Sequence, residues 1–319
     1  MNTEHIDIGL ARYSDWAFTS SVVVLVLALL LLAVELAYSR GRKVEARELV
    51  SAGVAADSDR PGVVVEQQKR SADERIGKAG LSLVYLGIAL LFACIVLRGL
   101  ATARVPWGGN MYEFINLTCF CGLVAGAIVL RKPQYRALWV FFVLVPVLIL
   151  LTVSGRWLYT NAAPVMPALQ SYWLPIHVSV VSLGSGVFLV AGMASIMFLL
   201  KMSPLAAAGG REGALAQIVQ RMPDAQTLDR IAYRTTIFAF PIFGFGVIFG
   251  AIWAEEAWGG RYWGGWDPPK ETVSFIAWVV YAAYLHARST AGWRDKKKPR
   301  GSTSSASSRW SSICSSSTW

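Results

Sequence analysis

Seven long apolar runs limit what this 319-residue chain can fold into more than any motif does. They are Trp16–Tyr38, Leu81–Leu100, Tyr112–Leu130, Ala137–Val153, Trp173–Leu200, Thr235–Trp253 and Thr272–Ala287. A helix needs about 20 mostly apolar residues to cross a bilayer, and the fourth and the last run are the shortest. The runs are continuous rather than alternating, which favours helices over a membrane barrel. Composition agrees: the chain is 55% hydrophobic and 16% charged, whereas soluble domains carry about 25% charge. Such apolar and aromatic content excludes disorder for most of the chain. Length, with four cysteines (Cys94, Cys119, Cys121, Cys314), excludes a small disulfide scaffold. The first run is too long to read as a cleaved signal peptide. The expected fold is an all-α polytopic membrane protein with about seven transmembrane helices.

A net charge of +10 first suggests nucleic acid. The positions of the charges point elsewhere. Alternate connections hold 23 Lys and Arg on one side and 6 on the other, with Arg309 set aside. The rich side includes Arg40–Lys78, Arg131–Arg136, Lys201–Arg234 and Arg288–Arg300; the poor side holds Arg12, Arg98, Arg104, Arg156, Arg261 and Lys270. Cytoplasmic loops carry such an excess. The chain is therefore expected in the cytoplasmic membrane, with its N-terminus and the loops around Trp107, Trp157 and Trp263 outside, and no nucleic-acid partner. Residues 1–38 read as an outer leader and first helix, 39–80 as a basic cytoplasmic loop, 81–294 as a helical membrane domain and 295–319 as a Ser-rich tail. Ser51–Gln68 and Ser203–Gln226 are polar, Ala/Gly-rich and expected to be peripheral. Pro146 and Pro241 fall inside helices, Pro146 as a kink. Cys94, Cys119 and Cys121 read as small apolar fillers.

The most informative stretch is Ile252–Trp278, IWAEEAWGGRYWGGWDPPKETVSFIAW. Interfacial tryptophan is ordinary in membrane proteins, and that accounts for Trp253 and Trp278. It does not account for Trp258, Tyr262, Trp263 and Trp266 interleaved with Gly259, Gly260, Gly264 and Gly265. Glycine lets backbone approach a flat ligand, and indole offers a rigid face. Together they describe a shelf for a planar apolar molecule. Asp267, before Pro268 and Pro269, suits a stiff turn, and Glu271 then sits near a helix N-terminus. His177 lies near the outer end of the fifth run and His286 at the inner end of the seventh. A histidine in a spanning helix is either a hydrogen-bonded structural group or a functional one, and imidazole is a common axial ligand of haem iron. Glu113 reads as a helix N-terminal charge or as part of a ligand or partner surface on the same side.

The loop WAEEAWGGRYWGGWDPPKE resembles the tryptophan-rich WWD signature of haem-handling membrane proteins in cytochrome c biogenesis. GGNMYEFINL at Gly108–Leu117, SYWLPIHVSV at Ser171–Val180 and ETVSFIAWVVYAAYLHAR at Glu271–Arg288 are similar to the CcsA/ResC-type branch of System II, often called CcsB in actinobacteria. The resemblance runs from about Leu81 to Arg294, with the WWD loop at 253–271. It implies a protein that works with a ResB-type membrane partner, moves haem b outward and attaches it to apocytochrome c at Cys-x-x-Cys-His. In that frame His177 is an outer axial ligand and His286 belongs to an inner, membrane-embedded haem site. Trp253, Trp258, Tyr262, Trp263 and Trp266 hold the haem face and edge. Arg261, which pairs carboxylates bidentately, and Asp267 are expected near propionates or the partner. The alternatives are a haem exporter or chaperone without ligase activity, and a non-haem transporter with an aromatic pocket.

Two departures from the family pattern stand out. The loop has an extra Gly after Trp258, an extra Gly before Trp266 and an extra Pro before Lys270, which shifts how these side chains face one another. The family also continues after YLHAR with one more helix and an outer Gly-Leu-His-Ser-Tyr segment carrying a second outer ligand. Here ten of the sixteen residues Ser302–Ser317 are serine. TCN serine codons read one base earlier give NTC, the codons of Val, Ile, Phe and Leu. Taken as it stands, such a run reads as a disordered tail; the preferred expectation is a frameshift, with a hydrophobic helix ending in histidine encoded one frame over.

Overall fold

The computed structural model describes residues 6–53, 72–132, 135–136, 138–164, 169–203, 223–258 and 269–289. Among them there are seven helices and no strand: α1 (Ile8–Gly53), α2 (Ala72–Thr102), α3 (Met111–Val129), α4 (Val145–Trp157), α5 (Trp173–Met202), α6 (Ala225–Trp258) and α7 (Pro269–Ser289). Six of the expected runs fall on one α-helix each, and the described part of the fourth is divided between a π-helical turn and α4. Five helical stretches are long and apolar enough to span: Ile8–Leu36, Arg75–Thr102, Met111–Val129, Trp173–Met202 and Ala225–Ala257. The protein is an all-α polytopic membrane protein.

The fourth run shows why it looked short. Its α-helical part is preceded by a π-helical turn, Trp139–Leu144, in which the Val145 N–H reaches back to the Val140 carbonyl. Pro146 sits in the first turn of α4, at the junction of the two helix types. A proline at that point has no N–H to donate, and the wider π turn absorbs the mismatch. The helical path from Leu138 to Trp157 is about 30 Å at 1.5 Å per residue, enough to cross. Pro241 lies inside α6 as expected. Cys94 and Cys119 are buried and Cys121 half-buried, all as free thiols.

Helix α1 shows how the spans pack. Ser21, Leu25, Ala28 and Leu32 are buried, while Val23, Val26, Leu27, Leu30 and Val34 are exposed. Both stripes follow helical periodicity and, Ser21 apart, both are apolar, because lipid replaces water on the outer one. The main core gathers Leu25 and Leu32 from α1, Val84 and Leu91 from α2, Leu123 from α3, Trp139 and Phe142 from the π turn, and Leu151 from α4. Val190 of α5 and Leu228 of α6 close it. Small residues set the closest approaches: a Cβ on Gly186 of α5 would lie 2.6 Å from the Gly122 nitrogen of α3.

Residues Met1–Phe275 form one compact unit and Ile276–Trp319 a second. Within the first, the start of α1 meets the end of α2 (Asp7 N–H to Ala101 carbonyl, 3.0 Å). The loop after α2 meets the start of α5 (Trp107 to Pro175, 3.2 Å). The stretch before α5 meets the end of α6 (Ser171 to Glu256, 2.6 Å). These ends share one side of the bundle. Toward the other, Arg136 pairs with Glu35 at 2.7 Å. In the second unit, the Arg288 guanidinium donates to the Tyr284 hydroxyl at 3.0 Å and the Ser289 hydroxyl donates to the His286 carbonyl at 2.8 Å.

Candidate functional site

Helices α5 and α6 run antiparallel through a close seam. On α6, Gly246 and Gly250 are four residues apart, a small-xxx-small pair that lets backbones approach. A Cβ on Gly246 would lie 3.0 Å from the Val181 Cα, and one on Gly250 would lie 2.7 Å from His177 Cε1 and 2.9 Å from its Nδ1. The His177 ring therefore occupies the space that Gly250 leaves open. Its Nδ1 is 2.8 Å from the Gly246 carbonyl oxygen. A carbonyl can only accept, so Nδ1 carries the proton and Nε2 keeps its lone pair. Metal-binding histidines are commonly held this way, with the far nitrogen donating to a backbone carbonyl.

One turn further along α6, the Trp253 indole lies parallel to the His177 ring, 7° apart in plane with centroids 6.2 Å apart. Trp253 also packs on a small cluster of Ile95, Leu117, Leu174 and Val178. Its Nε1–H is shielded from solvent with no hydrogen-bond partner among the described residues. An indole N–H without a hydrogen bond and an imidazole with a free Nε2 lone pair thus sit on two parallel neighbouring rings in an otherwise apolar seam.

The structure thus brings His177 and Trp253 together. Trp258 is the last residue of α6, and Pro269 opens α7. Arg261, Tyr262, Trp263, Trp266 and Asp267 lie outside the described residues, as do the side chain of Trp258, the loop stretches 54–71 and 204–222, and the serine-rich tail. His286 is exposed in the second unit, in the last turn of α7.

A second constellation was not expected. Arg98 of α2 is 2% exposed and Glu113 of α3 is also 2% exposed. The Glu113 carboxylate takes Arg104 in a two-pronged pair, Nη1 to Oε2 and Nη2 to Oε1, both 3.1 Å. Arg98 Nε adds a longer contact of 3.4 Å. The Gly109 N–H donates at 3.1 Å and the Asn110 amide at 3.3 Å. Asn110 in turn caps α3, its Oδ1 accepting from the Glu113 N–H at 2.9 Å, a variant of the capping box. Arg98 continues outward to Asp15 at 3.6 Å and to the Thr160 carbonyl, and lies 5.3 Å from the centroid of the Tyr112 ring. The Tyr159 hydroxyl donates to Asp15 at 2.7 Å; burial, then this hydrogen bond and the Asp15 charge, push the Tyr159 phenol up from its ordinary pKa.

By sequence alone, Arg98 and Arg104 count as outer loop charges. The available signal was Arg98 itself, which lies inside the run Leu81–Leu100, where a charge needs a partner. The helix N-terminal role expected for Glu113 is met, since it lies in the first turn of α3.

The family described as Cytochrome C assembly protein matches residues 108–304. The chain is 36% identical over 250 residues to the cytochrome c biogenesis protein CcsA of Thermosynechococcus vestitus, an overlap covering 66% of this chain and 76% of that one. It is 34% identical over 235 residues to the protein of the same name from Guillardia theta, covering 67% and 76%. With that of Parasynechococcus marenigrum it shares 39% over 153 residues, covering 43% and 49%.

Proposed function

Because the chain belongs to the cytochrome c assembly protein family, as a CcsA-type membrane protein of cytochrome c biogenesis, we propose that it presents haem b, as substrate, for thioether attachment to apocytochrome c. His177 is the outer axial ligand in this reading. The observation that carries it is the His177 tautomer: Nδ1 is committed to the Gly246 carbonyl at 2.8 Å, so Nε2 is the atom left for iron. The parallel Trp253 ring adds an apolar wall beside it. The donor set suits haem, whose iron takes imidazole nitrogen and whose macrocycle takes aromatic and apolar neighbours.

The chemistry supplied by the substrate is the addition of two apocytochrome thiols across the haem vinyl groups. The protein's share is orientation. Holding vinyl and thiol in place is a proximity effect, worth up to about 7–11 kcal/mol in ideal cases. Trp258, Tyr262, Trp263 and Trp266 extend the aromatic wall, Arg261 and Asp267 meet propionates or the partner, and His286 serves an inner membrane site. A ResB-type membrane protein completes the pair. Residues 81–294 make up the haem-handling domain, and the match over 108–304 supports most of that span. The distribution of Lys and Arg supports an N-terminus and WWD loop outside the cytoplasmic membrane.

The test is the full chain solubilised from cells supplied with haem. It is expected to carry a Soret band that His177→Ala weakens, and with the partner and an apocytochrome to yield covalent product. A colourless protein overturns the reading. Haem without covalent product leaves a carrier in place of a ligase component.

A further inference from the structure

The ion-paired loop after α2 has no place in the function proposed so far, yet it leads to His177. Helix α2 ends in a Schellman turn: the Ala103 N–H reaches the Leu100 carbonyl and the Arg104 N–H reaches that of Gly99. Ala103 has φ +52°, so the chain reverses there and directs Arg104 toward Glu113. The two-pronged Arg104–Glu113 pair and the Gly109–Glu113 hydrogen bond then close 104–113 into a rigid loop. Trp107 sits in the middle of it. Its Nε1–H donates to the Pro175 carbonyl at 3.2 Å, in the first turn of α5, two residues before His177. Its ring packs on the same Leu174 and Val178 cluster as Trp253.

We propose that Trp107, held by the Arg104–Glu113 clamp, is a positioning residue that sets the height and angle of His177 by tethering the first turn of α5. The haem part of this proposal rests on His177 being an iron ligand; the positioning part does not. Pro175 costs α5 no intrahelical bond, since first-turn N–H groups have no partner there; its carbonyl accepts both Trp107 from the loop and the Ser179 hydroxyl at 2.6 Å from within α5. Without the indole donor, the turn carrying His177 loses its only hydrogen bond to the loop among those described.

Trp107→Phe keeps an aromatic ring and removes the donor. In the full-length detergent-solubilised chain, the rate of carbethoxylation of His177 by diethylpyrocarbonate, read by peptide mass against His286 as internal reference, is expected to change about three- to tenfold, the range of one lost neutral hydrogen bond. Haem affinity is expected to fall by a similar factor, with a shifted Soret maximum. Trp157→Phe, at the exposed end of α4, is expected to leave both unchanged. An unchanged His177 rate in Trp107→Phe overturns the proposal whatever the haem measurement reads. Should haem be indifferent to His177→Ala while Trp107→Phe still alters the His177 rate, the positioning role stands and the iron-ligand reading falls. If Trp107→Phe does not fold, Arg104→Lys takes its place, since it keeps the charge and loses the guanidinium fork. A changed His177 rate in that variant supports the clamp, and an unchanged one overturns it.

Discussion

Gly250→Ala isolates the seam that holds His177. The added methyl would lie 2.7 Å from Cε1, 2.9 Å from Nδ1 and 3.4 Å from Nε2 of that ring, while carbon contacts settle at about 3.5–4.0 Å. The ring must retreat by about 1 Å. Nδ1 then moves from 2.8 Å to beyond hydrogen-bond reach of the Gly246 carbonyl. The obstructing atoms are the tip of a rotatable side chain, so the helices need not part, and overpacking of this kind typically costs the fold about 1–3 kcal/mol. The larger effect falls on the ligand. Loss of such a supporting hydrogen bond lowers metal affinity by about 10–100-fold, equivalent to about 1.4–2.8 kcal/mol. The matched control is Gly192→Ala, on α5, where a Cβ meets nothing within 4 Å and helix propensity favours alanine by up to about 1 kcal/mol. Haem titration followed at the Soret band, with thermal unfolding in the same detergent, compares the two. Equal haem affinity for Gly250→Ala and Gly192→Ala refutes the claim that this glycine orients the ligand.

Three further outcomes are expected. Glu113→Ala leaves Arg98 and Arg104 without their shared carboxylate, and breaking a buried pair costs about 3–5 kcal/mol; a loss below about 1 kcal/mol in thermal or denaturant unfolding contradicts the network. Ala103→Gly relieves a left-handed residue at φ +52° and is expected to stabilise the chain by about 1 kcal/mol, with a raised unfolding midpoint; a lowered one shows that the turn is not strained. Thr160→Cys is expected to react with a membrane-impermeant maleimide on intact cells, and Arg131→Cys only after lysis; the reverse pattern inverts the proposed orientation.

Apolar run length determined the number and class of the helices, because a span must satisfy its own backbone and cover about 30 Å of hydrocarbon. That is why all seven runs appear as helices and why even the short fourth one was legible. His177 and Trp253 could also be singled out beforehand, one as an imidazole in a span and one through its motif. Seventy-six residues apart in the chain, they could not be paired from sequence, since a one-residue rotation of either helix would separate them. That pairing depends on how deeply the Gly246–Gly250 edge of α6 beds against α5, and packing between helices in lipid is settled by shape rather than by a polar pattern. The same holds for Arg98. Its charge was visible, and a partner was required, but the choice of Glu113, Asp15 and the Thr160 carbonyl was made by three other stretches of chain arriving at one end of the bundle.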